Sequence, residues 1–138
     1  MAKLSKMANE WFKIARQDLS DAQTLWEVRG LESERTVAFL CQQSTEKSIK
    51  GFIQYLGKKI LKSHDIKKLT EVIIHLYPDL KELMIEAIVL TPYAVEYRYP
   101  DAAHVSLEIE DLENALNIAN EVFKKLTELI PHDGKIGT

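Results

Sequence analysis

The stretch Val37-Ala38-Phe39-Leu40-Cys41-Gln42-Gln43-Ser44-Thr45-Glu46-Lys47-Ser48-Ile49-Lys50 decides the fold. Val37, Ala38, Cys41 and Ile49 stay in phase with Phe52, Ile53 and Leu56 beyond it, which describes one face of a helix. A second stripe runs beside the first, because Gln43, Glu46, Lys47 and Lys50 are three and four residues apart. Glu46 to Lys50 is a favourable i,i+4 pair, worth about 0.3–0.5 kcal/mol on an exposed helix. The polar stripe has two readings: a solvated face or polar seam between helices, or a wall orienting a groove at a dimer or partner interface. The helix spans about residues 32–56, and Gly57 closes it.

Working outward, the pattern repeats. Upstream, Trp11, Ile14, Ala15, Ala22, Leu25 and Trp26 give another helix face, with Gly30 as its C-terminal cap. Downstream lies a lysine-rich connection. Ser63 or Asp65 then caps a shorter helix carrying Ile66, Leu69, Ile73 and Leu76. Tyr77-Pro78-Asp79 breaks it, with Pro78 suited to a first turn. Leu80, Leu83, Met84, Ala87 and Ile88 form the next stripe before Thr91-Pro92. Leu112, Ala115, Leu116, Ala119, Val122, Phe123, Leu126, Leu129 and Ile130 make the final helix. No strand-like alternation persists. The expected fold is all-α, an antiparallel four-helix up-and-down bundle with an additional short helix. One domain is expected over residues 1–138, ordered over about 9–131, with a flexible tail at 132–138.

Composition narrows the function. The chain has 138 residues, 46% apolar and 28% charged, with a net charge of −3, so any polyanion site must be a local patch. A single cysteine, Cys41, excludes an intrachain disulfide framework and a cysteine-based zinc site. No apolar run reaches a membrane span of about 18 residues, and the first ten residues lack a secretory core. These features place the chain in the cytoplasm. No His or carboxylate spacing suits a metal, and no nucleophile elbow, phosphate loop or dinucleotide-binding glycine pattern appears. No cofactor is implied.

The central stretch resembles the signature of the HEPN domain family: an aromatic, a Gln pair, two small residues, Glu-Lys, an apolar residue and Lys. Trp11 with Ala15, Asp18-Leu19 and Ala22 looks like the family's first helix, and His64-Asp65 with Leu69 like its middle element. Tyr93 with Arg98-Tyr99-Pro100-Asp101 is similar to the Tyr…Arg-Tyr-Pro stretch of prokaryotic members. The resemblance runs from about Trp11 to Leu129. It implies a homodimer that binds nucleotide or RNA and works with a minimal nucleotidyltransferase partner in a toxin–antitoxin-like pair.

Of the four histidines, His132 lies in the tail, His75 sits among Ile73, Ile74 and Leu76 where a packing role is expected, and His64 suits a helix start. His104 is set apart by Arg98, five residues intervening. Ribonuclease members of the family carry Arg-x4–6-His, and the resemblance implies those roles here. A histidine with an unperturbed pKa near ~6.5 takes or gives the proton in RNA cleavage without metal. An arginine holds the phosphate through paired hydrogen bonds. A two-fold dimer would bring two such pairs together. Two positions depart from the catalytic pattern: Tyr99 replaces a small polar residue, and Pro100 restricts Tyr99 to extended conformations. Ser106 stands where some members carry a tyrosine modified by their partner, so that control does not carry over.

Tyr97 and Tyr99 flank Arg98, suited to stacking a base beside its phosphate or to packing at an interface. Lys47 and Lys50 complete the candidate nucleotide- or RNA-binding set. Lys58, Lys59, Lys62, Lys67 and Lys68 form a positive patch, either solvated or phosphate-steering. A metal-independent endoribonuclease therefore stands beside a different class of function, a non-catalytic dimeric helical interaction module.

Overall fold

A computed structural model describes residues 4–59, 66–94 and 106–131. Five α-helices lie there: α1 (Lys6–Arg29), α2 (Glu34–Tyr55), α3 (Ile66–Leu76), α4 (Lys81–Ile88) and α5 (Ile109–Glu128). Short 3-10 turns cover Gly30–Ser33, Pro78–Leu80 and Thr91–Ala94, and no strand occurs among the described residues.

Local chemistry sets the helix ends. Ser5 caps α1 by accepting the Ala8 N–H on its hydroxyl, 3.0 Å away. Gly30 ends it with φ of 56°, a value costly for a residue with a Cβ. Gly57, at φ 74°, ends α2 in a Schellman motif. Its N–H donates to the Gln54 carbonyl at 3.0 Å, and the Lys58 N–H to the Ile53 carbonyl at 3.1 Å. Before α5, Glu108 and Asp111 cap each other reciprocally. Pro78 begins its turn as the sequence suggests.

Helix α2 is the axis of the fold. Ser44 Oγ donates to the Ala15 carbonyl at 2.8 Å, and a Cβ on Gly51 would lie 3.1 Å from Trp11 Cβ. Later residues of α2 thus meet earlier residues of α1, and the two helices are antiparallel. The contact is close because small residues meet small residues. Ser44, Ser48 and Gly51 share one side of α2, and Ala8, Ala15 and Ala22 recur every seventh residue on α1, all fully buried.

Two contacts orient α5. At its start, the Leu107 N–H donates to Glu34 Oε2 at 3.0 Å, tying it to the first residue of α2. Further along, Phe123 meets Phe12 edge-on, with ring centroids 6.3 Å apart. So α5 runs with α2 and against α1. Helices α3 and α4 form the return path between the end of α2 and the start of α5. Tyr77, after α3, packs edge-on against Phe52 at 5.3 Å.

The expected all-α up-and-down bundle with its extra short helix is the observed fold. Two assignments on individual faces are corrected. Phe12, not Trp11, is the fully buried anchor of α1, while Ile14 is 39% exposed. The packed stripe on α1 is Ala8, Phe12, Ala15 and Ala22, rotated by about one residue from the expected one. His75 is exposed rather than packed, because α3 turns Ile66, Leu69 and Ile73 inward.

Candidate functional site

The polar stripe of α2 is a closed hydrogen-bonded seam inside one copy of the chain. Gln42, Glu46 and Thr45 are fully buried, and Lys50 is 8% exposed. Lys50 Nζ lies 3.1 Å from Glu46 Oε2, and Gln42 Nε2 donates to Glu46 Oε1 at 3.1 Å. Gln43 Nε2 donates to Gln42 Oε1 at 2.6 Å, and Lys47 Nζ donates to Gln43 Oε1 at 2.7 Å. The chain of bonds therefore runs Lys47 to Gln43 to Gln42 to Glu46, with Lys50 closing on the other carboxylate oxygen. Lys50 Nζ also sits 5.4 Å from the centroid of the Trp11 ring. A carboxylate withdrawn from water is tolerable only when both oxygens are bound, and both are bound here.

Of the proposed binding lysines, Lys50 is neutralised by Glu46 and covered by Trp11. Lys47 keeps 17% of its side chain exposed, at the open edge of the seam. Across from it, Asp18 on α1 has its pKa raised, chiefly by burial; Lys47 opposes the shift and Asp21 adds to it. Sequence reading missed Gln42 as a member of the seam. Its signal was present: Gln42, Glu46 and Lys50 are successive i,i+4 positions.

Arg98, Tyr97, Tyr99 and His104 lie outside the described residues, as do Ser63, His64, Asp65, Lys62 and the tail 132–138. What flanks the Arg98–His104 segment is defined. On one side, the turn Thr91–Ala94 packs on α2, with Tyr93 and Ala94 buried. On the other, Leu107 is buried and bound to Glu34 of α2. Both anchors belong to the same helix.

Burial pushes the Cys41 thiol up to about 12, so it carries no thiolate at neutral pH and acts as a core hydrophobe. Among the described residues no three His, Cys, Asp or Glu side chains converge on a metal position. No described helix is long and apolar enough to cross a membrane.

These features define an all-α bundle protein built around a central helix with a buried Gln–Glu–Lys seam. The HEPN domain matches residues 8–129, nearly the whole chain, and the chain belongs to the HEPN domain family. Its fold is similar to the crystal structure of TT1696 from Thermus thermophilus, at 27% identity and a TM-score of 0.73, covering 90% of this chain and 98% of that one. It is also similar to ST0689, an archaeal HEPN homologue, at 24% identity and a TM-score of 0.68, covering 95% of this chain and 100% of that one. Comparison with curated proteins gives no match.

Proposed function

We propose that this HEPN protein binds RNA or a nucleotide through the segment carrying Arg98 and His104, as a homodimer working with a nucleotidyltransferase partner. The observation that carries this reading is the double anchorage of that segment on α2, by the buried Tyr93–Ala94 turn before it and the Leu107–Glu34 bond after it. Residues 95–105 thus fall between two points held on α2, the helix that bears the family signature. Arg98 would hold a phosphate by paired hydrogen bonds, with Tyr97 and Tyr99 offering ring faces to a base. Lys47, at the seam's open edge, adds a positive charge, whereas Lys50 serves the ion pair. In a two-fold dimer, a second Arg98 and His104 would supply the acid, base and clamps for metal-independent cleavage.

The burial of Glu46 and Lys50 within one copy favours a second reading, in which the signature helix is a scaffold and the protein is a dimeric interaction module. Cleavage of labelled RNA in EDTA separates the two. The first reading expects cutting by the wild type, lost at least about a hundredfold in both Arg98→Ala and His104→Ala, with helicity and dimer mass unchanged. An uncut substrate with the wild type, together with a melting temperature that added nucleotide or RNA does not shift, supports the module.

A further inference from the structure

We propose that the first half of α1 is a self-association surface on which two copies of the chain pair antiparallel through Met7, Trp11 and Ile14. The face lies beside the second half of α2, away from the Leu107 anchor at Glu34. It is a contact additional to the two-fold pairing in the reading above.

Helix α1 carries two stripes. Ala8, Phe12, Ala15 and Ala22 are buried in the bundle. Met7, Trp11 and Ile14 form a second line beside them, all large and apolar, at gaps of four and three residues. That is the seam spacing of paired helices. Met7 is 57% and Ile14 39% exposed, and Trp11 is partly exposed even though its ring lies by Lys50. Single exposed apolar side chains are ordinary, whereas three large ones on one line mark a contact surface.

The order of residues on this line selects a second copy as its occupant. The spacing continues through Asp18, Asp21, Leu25 and Val28. Parallel pairing would set Asp18 against Asp18, and so would antiparallel overlap of the whole helices, which centres on that residue. Like charges across a seam repel. Antiparallel pairing centred on Trp11 avoids both. It brings the two indoles together and sets Met7 of each copy against Ile14 of the other. Asp18 then falls beyond the start of the opposing α1 at Lys6. Apolar residues meet apolar residues over about 10 Å of helix, so the stripe is complementary to itself.

Gly51 lies against Trp11 and Phe12, which puts this seam about 25 Å along α2 from Glu34, where Leu107 is held. Around an axis at Trp11 the two Leu107 anchors stand roughly 50 Å apart along the helices. Pairing at the Arg98 segment therefore needs a different axis. The two contacts together give a tetramer, a step that rests on the reading above.

The test is the mass of the full chain by light scattering, across a concentration series. The wild type is expected as a tetramer. Met7→Glu/Ile14→Glu, at two exposed positions, should halve that mass with unchanged helicity. Met7→Lys/Ile14→Glu puts opposite charges across the antiparallel seam and should recover it. Equal masses for the wild type and Met7→Glu/Ile14→Glu at every concentration, or no recovery in Met7→Lys/Ile14→Glu, would overturn the proposal. RNA binding, with Arg98→Ala as control, separates the two interfaces. A dimer that stays a dimer in Met7→Glu/Ile14→Glu and binds RNA through Arg98 removes the α1 seam alone. A dimer that becomes a monomer in that variant, or a halved mass without Arg98-dependent RNA binding, removes the reading above alone.

Discussion

Lys50 and Glu46 form an ion pair 3.1 Å long in which the carboxylate has no exposure to water. Their spacing alone suggests a weak surface pair, but burial changes the energetics. Removing one partner leaves a desolvated charge. Glu46→Ala is therefore expected to cost about 3–5 kcal/mol, read as a lower urea midpoint. Replacing both residues with methionine should recover most of that loss, because a buried pair is often no more stable than a well-packed apolar one. A double variant as unstable as Glu46→Ala would show that the pair itself holds the helix.

Gly51 sets two small effects against each other. Alanine would improve helix propensity by about 1 kcal/mol. Its Cβ, however, would sit 3.1 Å from Trp11 Cβ and 3.2 Å from the Phe12 ring. Trp11 Cβ is fixed to the α1 backbone and can move only if α1 moves. Overpacking costs about 1–3 kcal/mol, so Gly51→Ala should be net destabilising. Thermal melting decides it; a higher Tm would mean that α1 and α2 separate easily.

Asp18 gives a pH signature. Burial raises its folded pKa above the ordinary value of 3.8, with Lys47 opposing and Asp21 adding. The folded chain thus holds this proton to higher pH than the unfolded chain does. Its contribution to stability is present below about pH 3.8 and lost as pH rises through the folded value. Asp18→Asn removes the charging penalty and should raise Tm at pH 7 by about 1–3 °C, with the gain fading toward acid pH. A lower Tm at pH 7 would show that the attraction to Lys47 outweighs burial.

Glu34 reaches 73 residues along the chain to hold the Leu107 N–H. Hydrogen bonds to charged groups contribute about 1.5–3 kcal/mol. Glu34→Ala should cost about that much at the α5 end of the bundle and speed amide exchange at Leu107. If the Arg98 segment works from this anchor, RNA affinity should fall as well. Unchanged exchange at Leu107 would contradict the anchoring role.

The elements that carry strong local signals were legible in the sequence. Gly30 and Gly57 end their helices because both positions need positive φ, and Pro78 opens its turn because it needs no N–H there. Face assignments were harder where the periodic stripe is made of small residues. The Ala8, Ala15, Ala22 series is weakly apolar, so the large Trp11 and Ile14 drew the helix face about one residue away from Phe12. Burial of the seam was also invisible, since the spacing of Gln42, Glu46 and Lys50 is the same on a wet face and a dry one. Only packing by α1 and α5 on both flanks of α2 distinguishes the two. His75 was misplaced for a similar reason: its sequence neighbours are apolar, but one step along α3 is a turn of about 100°.

Arg98 is the residue proposed to meet phosphate. Equilibrium binding of single-stranded RNA to the wild type and Arg98→Ala, over a salt series in EDTA, tests it most directly. Salt-dependent binding by the wild type is expected. In the variant, affinity should drop about tenfold, with the logarithmic salt slope shallower by about one phosphate contact. Equal affinity and equal slope for the two proteins, or no binding by the wild type, would contradict it.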